Sequence, residues 1–271
     1  MRLENSAHPG RARLDAETLL LHVVGKDRAW LIAHGDDELS DEDAARFSRL
    51  IERRFGGEPI QYITGEQEFY GLPFRVTPDV LIPRPETEHL VEKVLSLAAE
   101  FSEPRIVDVG TGSGAIAVVL AHQLPQAQII ALDISATALH VARGNAERNG
   151  VAERVRFVES DLLAAVALEK FKVVVSNPPY VPTTDRESLS VEVREHEPGL
   201  ALFAGDDGLD VYRRLIPEAF AVLEPGGFLV MEIGYGQPQA IEELLTHAGF
   251  EQIEFVPDLR GIPRVACGRR I

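Results

Sequence analysis

"RIVDVGTGSGAIA", residues 105–117, changes character twice within thirteen positions. Ile106, Val107 and Val109 make a short β-branched run that reads as a buried strand. Gly110, Gly112 and Gly114 then bring backbone close to a ligand with no side chain in the way, and a helix opens behind them. The spacing also satisfies the dinucleotide pattern Gly-x-Gly-x-x-Gly/Ala, with Ala115 in the last place.

The same alternation continues along the chain. Further strands are predicted at "QIIALDI" (128–134), "RVRFVES" (154–160), "KVVVSN" (172–177) and "GFLVMEIG" (227–234), with helical segments between them. Continuous apolar strands separated by helices imply a parallel, doubly wound α/β sheet covered on both faces. The tail, "QIEFVPDLRGIPRVACGR", reads as two strands around a Pro/Gly turn, so the sheet is expected to close with an antiparallel hairpin.

Upstream the texture is helical. "LDAETLLLHVVG" carries a Leu/Val stripe and stops on Gly25. In "SDEDAARFSRLIERRFGG", Ser40 caps, acids fill the first turn, and Phe47, Leu50, Ile51 and Phe55 form the predicted inner face. The expected organisation is a helical domain over 1–65, a β-hairpin linker over 66–85 turning at Gly71, and an α/β domain over 86–271 that begins with a helix capped by Thr87.

Composition narrows the classes. Lys+Arg 27 against Asp+Glu 43 leaves a net charge of −16, which repels polyanions, so no direct nucleic-acid binding is expected. No apolar run reaches the roughly 20 residues of a membrane helix. Cys267 is the only cysteine, no basic-apolar leader opens the chain, and the eight histidines are dispersed; a cytoplasmic, metal-free protein is expected, and a monomer.

In a doubly wound sheet the chemistry sits at the carboxyl ends of the strands. Asp133 closes the strand after the glycines, about 20 residues beyond them, where a carboxylate accepts hydrogen bonds from ribose hydroxyls. Asp161, at the end of the next strand, is placed to meet an adenine amino group. Together these describe an adenosine pocket, with NAD and S-adenosylmethionine both open. The fourth strand end, "NPPY", separates them. Pro178 and Pro179 stiffen the turn and carry no N–H, so the segment is rich in carbonyls. The Asn177 side-chain oxygen and the Pro178 carbonyl can each accept one hydrogen of a substrate –NH₂, and Tyr180 offers a flat surface for stacking. Such a clamp suits methylation of an amide or aromatic amine by a sulfonium and has no use in hydride transfer.

"DVGTGSG", Asp133 and "NPPY" resemble class I S-adenosylmethionine-dependent methyltransferases. "EPIQYITGEQEFYGLPF", "VLIPRPETE" and "EPGLALFAGDDGLDVYRRL" narrow the resemblance to the peptide chain release factor glutamine methyltransferases, the HemK/PrmC family, over nearly the whole chain. The resemblance implies methylation of the glutamine amide in the Gly-Gly-Gln loop of release factors, which would dock in part on the helical domain. It implies that Gly110, Thr111, Gly112, Ser113, Gly114 and Asp133 hold the cofactor. Asn177 would touch cofactor and substrate, and Pro178, Pro179 and Tyr180 would line the glutamine slot. Leu162 stands where some relatives place an aromatic residue against adenine, and Ile262-Pro263 where relatives tend to be polar. A ribosomal-protein glutamine and an exocyclic amine of RNA or DNA remain as alternative acceptors. Arg84 or Glu86 closing over the cofactor is the functional reading of "LIPRPETE"; a rigid helix entry is the other.

Overall fold

The structure, a computed structural model, describes residues 2–5 and 9–271. The chain divides into two compact units, one running to Glu66 and taking in Leu189–His196, the other made of Gln67–Ser188 and Glu197–Ile271.

The first unit holds α1 (Ala12–Val24), α2 (Arg28–Ala33), α3 (Asp41–Phe55) and α4 (Ile60–Thr64). Gly25 ends α1 at φ 64°, and Ser40 accepts from the Asp43 N–H at 3.1 Å to start α3. One expectation fails on α3: Phe55 is 39 % exposed, and the position that is buried is Arg54. Helical spacing from Phe47 and Leu50 reaches Arg54 as readily as Phe55. The guanidinium is admitted because its Nε donates to buried Asp15 at 2.7 Å, it pairs with Glu192, and Nη1 donates to the Glu58 carbonyl at 3.0 Å. Glu192 lies in the segment that groups with this unit.

The chain continues through the hairpin β1 (Glu66–Phe69) and β2 (Leu72–Arg75), turning at Gly71 with φ 74°. The hairpin is fastened to the body of the second unit. The Tyr70 N–H donates to Glu88 at 2.9 Å, and Asn145 exchanges two hydrogen bonds with the Arg75 backbone, at 2.7 and 2.9 Å. Then come α5 (Thr87–Ala98), β3 (Arg105–Val109), α6 (Ala115–Gln123), β4 (Gln128–Asp133), α7 (Ala136–Arg148), β5 (Val155–Glu159) and β6 (Phe171–Ser176). The remainder is α8 (Val191–His196), α9 (Asp210–Val222), β7 (Leu223–Glu232), α10 (Pro238–Ala248), β8 (Phe250–Pro257) and β9 (Pro263–Arg270).

Seven strands form one sheet in the order β5-β4-β3-β6-β7-β9-β8, parallel from β5 to β7 and antiparallel at β9 and β8. All five parallel strands and the closing hairpin lie where the sequence predicts them. Period-2 alternation sends Ile106, Val173, Val175 and Val230 to a core shared with α5 and α6, and Val107, Val174, Leu229 and Met231 to a core shared with α9 and α10. The chain runs outward one way through β4 and β5 and returns to β6 and β7 on the other side of β3. The switch point therefore lies between β3 and β6, where the buried Ser176 hydroxyl donates to the Val109 carbonyl at 2.7 Å.

Candidate active site

A cavity of about 350 Å³ opens at the carboxyl ends of β3, β4, β5 and β6. It is lined by Gly110, Thr111, Gly112, Ser113, Asp133, Asp161, Leu162, Asn177 and Pro179, so the four predicted strand ends meet at one place. Gly110 and Gly112 sit at φ 74° and 54°, and a Cβ on either would meet nothing within 4 Å. Their backbone faces open space. Gly114 differs: it does not line the cavity, and a Cβ there would stand 3.0 Å from that of Ala142, so it brings α6 against α7.

The acidic groups are held differently. Asp133 accepts the Gly112 N–H at 2.8 Å and the Ser135 N–H at 2.9 Å, which fixes it to the glycine turn; burial raises its carboxyl against the pull of those bonds. Capping of α7 falls to Ser135 instead. Asp161 is half exposed and takes Arg214 Nη2 at 2.7 Å, a partner from α9 that the sequence does not announce. Leu162 occupies the left-handed region at φ 47°.

Asp108, one residue before the end of β3, is fully buried. Its Oδ2 accepts the Thr111 hydroxyl at 2.6 Å, and its Oδ1 has no hydrogen-bond partner among the described residues. Burial lifts this carboxyl to about 7, with the Thr111 bond opposing and Asp133 reinforcing. The folded chain thus holds this proton more tightly than the unfolded chain. The resulting stabilisation is complete below about pH 4 and is lost as pH rises towards 7, on the order of a few kcal/mol. Denaturation from pH 4 to 8 should show that decline in wild type and a flattened one in Asp108→Asn.

The tetrapeptide after β6 is anchored on every side. Asn177 Nδ2 donates to the Thr87 hydroxyl at 3.1 Å, and Thr87 donates to buried Glu232 at 2.6 Å. Thr87 is therefore not a helix cap; α5 starts on it with Glu86 in the cap position, and its side chain turns inward. The Pro178 ring is buried, and Tyr180 does not line the cavity: its hydroxyl donates to Glu232 at 3.1 Å. Burial and that carboxylate push the phenol far above its ordinary range. Gln237 donates to the Tyr180 carbonyl at 3.1 Å while accepting the Gly234 N–H at 2.8 Å. Arg84 lines the cavity and pairs with buried Glu197, whereas Glu86 does not line it. Among the described residues there is no cluster of metal-ligating side chains, and no helix is long and apolar enough to cross a membrane.

A model of the PrmC N-terminal domain matches residues 2–65, and one of a methyltransferase small domain matches residues 87–193. The chain is 46 % identical to the release factor glutamine methyltransferase of Koribacter versatilis, over 95 % of this chain and 91 % of that one. The chain belongs to the release factor glutamine methyltransferase family. Other members are similar to the same degree: that of Bradyrhizobium diazoefficiens is 46 % identical over 98 % of this chain and 91 % of its own, and that of Moorella thermoacetica 47 % over 94 % and 90 %.

The family's α/β fold extends further. A ribosomal-protein methylase from Lactobacillus delbrueckii subsp. bulgaricus superposes with a TM-score of 0.51 at 25 % identity, covering 69 % of this chain and 81 % of that one. A methyltransferase from Pyrococcus furiosus reaches 0.55 at 19 % identity, covering 82 % and 98 %. In this family member, sequence reasoning misses Asp108, Glu232 and Gln237 and misassigns Thr87. A carboxylate written inside an apolar strand, as in "IVDV" and "LVMEI", is the available signal for the first two.

Proposed function

We propose that this chain transfers a methyl group from S-adenosylmethionine to the side-chain amide nitrogen of a glutamine in a peptide chain release factor, the resemblance implying the glutamine of the Gly-Gly-Gln loop. The observation that carries the reading is the Asn177 amide, lining the cavity with its –NH₂ tied to Thr87 and its Oδ1 accepting no hydrogen bond from the described residues. An amide oxygen and the Pro178 carbonyl then suit the two N–H groups of a planar amide.

The cavity fits the cofactor. Its volume suits a small-molecule site, bare glycine backbone faces into it, and Asp133 is pinned at the end of β4 where ribose hydroxyls would meet it. The cofactor supplies an electrophilic methyl on its sulfonium sulfur. Asn177 and Pro178 accept both amide hydrogens, which raises electron density on nitrogen and aims its lone pair at that methyl. With the cofactor bound, the nitrogen would take the methyl, the sulfur would keep the S–C bonding pair, and the cationic amide would lose its proton to water or to the clamp. No strong base is needed, because such a cation is very acidic.

Tritiated S-adenosylmethionine offered with purified release factor, ribosomal proteins or bulk RNA tests the acceptor. Label in the release factor glutamine is expected; label in RNA overturns the reading. Asp133→Ala should weaken cofactor binding by about 1.5 to 3 kcal/mol, as for lost bonds to a charged group. Wild-type affinity by titration calorimetry would rule out the ribose assignment.

A further inference from the structure

Glu232, the last residue of β7, is a buried carboxylate with no part in the methyl-transfer steps themselves. It shares a sheet face with Phe228 and Val230, the face covered by α5, and is 3 % exposed. Its two oxygens take two donors: Oε2 accepts the Thr87 hydroxyl at 2.6 Å and Oε1 the Tyr180 hydroxyl at 3.1 Å. Thr87 Oγ1 in turn accepts Asn177 Nδ2 at 3.1 Å. We propose that Glu232 is a positioning residue for methyl transfer: acting through the Thr87 hydroxyl, it fixes which end of the Asn177 amide faces the acceptor nitrogen. The inference rests on the methyl-transfer reading and deepens it.

Counting hydrogens decides the orientation. A hydroxyl has a single proton to give. Once Thr87 gives it to a carboxylate, Thr87 can only accept from Asn177, so the –NH₂ must lie on the Thr87 side and Oδ1 on the other. A donor at position 232 reverses the chain. Thr87 would then accept from residue 232 and donate to Asn177, the amide would rotate by half a turn, and its –NH₂ would confront the –NH₂ of the substrate. Donor would face donor, and the clamp would repel the group it exists to hold. The amide has nearly the same shape either way round, so sterics do not choose between the two orientations; the hydrogen-bond direction does. The second oxygen of Glu232 holds the Tyr180 hydroxyl, so one carboxylate anchors both ends of "NPPY".

Three substitutions test this. Glu232→Leu removes the acceptor that commits the Thr87 proton and frees that proton to turn to Asn177 Oδ1. Thr87→Val keeps the shape and removes the relay, and Thr87→Ser keeps the hydroxyl. Glu232→Leu and Thr87→Val are expected to lower kcat by about 100-fold, the scale of one lost polar contact at a reacting group, with the KM for S-adenosylmethionine within about threefold of wild type. Thr87→Ser should recover turnover to within about tenfold of wild type. Calorimetric cofactor affinity reads the fold of the site independently: retained affinity with lost turnover supports the proposal, and parallel loss of both overturns it. Wild-type turnover by Glu232→Leu, or an equal loss in Thr87→Ser and Thr87→Val, also overturns it. A wild-type protein that labels no release factor would instead overturn the reading beneath.

Discussion

Asn177→Ala is expected to lower turnover by about 10²- to 10³-fold while keeping most of the affinity for S-adenosylmethionine. The split comes from where the groups sit. In the proposed function cofactor affinity comes from the glycine turn after β3 and from Asp133 at the end of β4, which are tied to each other through the Gly112 N–H. Turnover depends on two acceptors held still, and truncation at 177 removes one and leaves Thr87 without its donor. Asn177→Asp is the sharper variant. It retains an acceptor towards the substrate but sets a second oxygen against Thr87 Oγ1, whose proton is already committed to Glu232. Two acceptors would then face each other in a buried place, and a large loss of turnover is expected there too. Single-turnover rates beside calorimetry separate the effects; unchanged methyl transfer in Asn177→Ala would remove the clamp from the mechanism.

How much of the fold is legible in the sequence depends on how each feature is written in the chain. The parallel sheet announces itself because strands buried on both faces must be continuously apolar, and "RIVDV", "QIIAL" and "KVVVS" have no other economical reading. The cavity is legible for a similar reason, since a doubly wound sheet collects its ligand groups at strand ends, and the chain marks those ends with Gly110, Asp133, Asp161 and Asn177. The hidden layer is not legible because its partners are far apart in sequence. Thr87 and Glu232 are separated by 145 positions, and Tyr180 reaches Glu232 across 52. A threonine before a helical stretch looks like a cap at the level of local spacing, and only the packing of α5 against β7 turns it inward. Gly114 misleads for the converse reason: three glycines in one turn look equivalent, yet two face open space and the third faces Ala142.

Arg54 makes the same point on α3 and carries the second large effect. Arg54→Leu should lower the unfolding free energy of the helical unit by about 3 to 5 kcal/mol, although leucine is the better residue by the apolar pattern of that face. The loss comes from the carboxylates left behind. Asp15 is buried, its Oδ2 loses the 2.7 Å bond from Nε, and among the described residues Arg11 remains beside it, with Nε 3.8 Å from its Oδ1. The Glu58 carbonyl loses its donor as well. A second variant separates this cause from poor packing. Arg54→Leu combined with Asp15→Leu and Glu192→Met removes both carboxylates that face the guanidinium, and well-packed apolar replacements of buried ion clusters are commonly neutral or stabilising. The triple variant should therefore regain most of what the single one loses, in urea titrations followed by Trp30, which lies on α2 of the same unit. Equal instability of the two would assign the effect to the shape of the site, and wild-type stability of Arg54→Leu would show that the buried pair contributes nothing to holding Leu189–His196 in this unit.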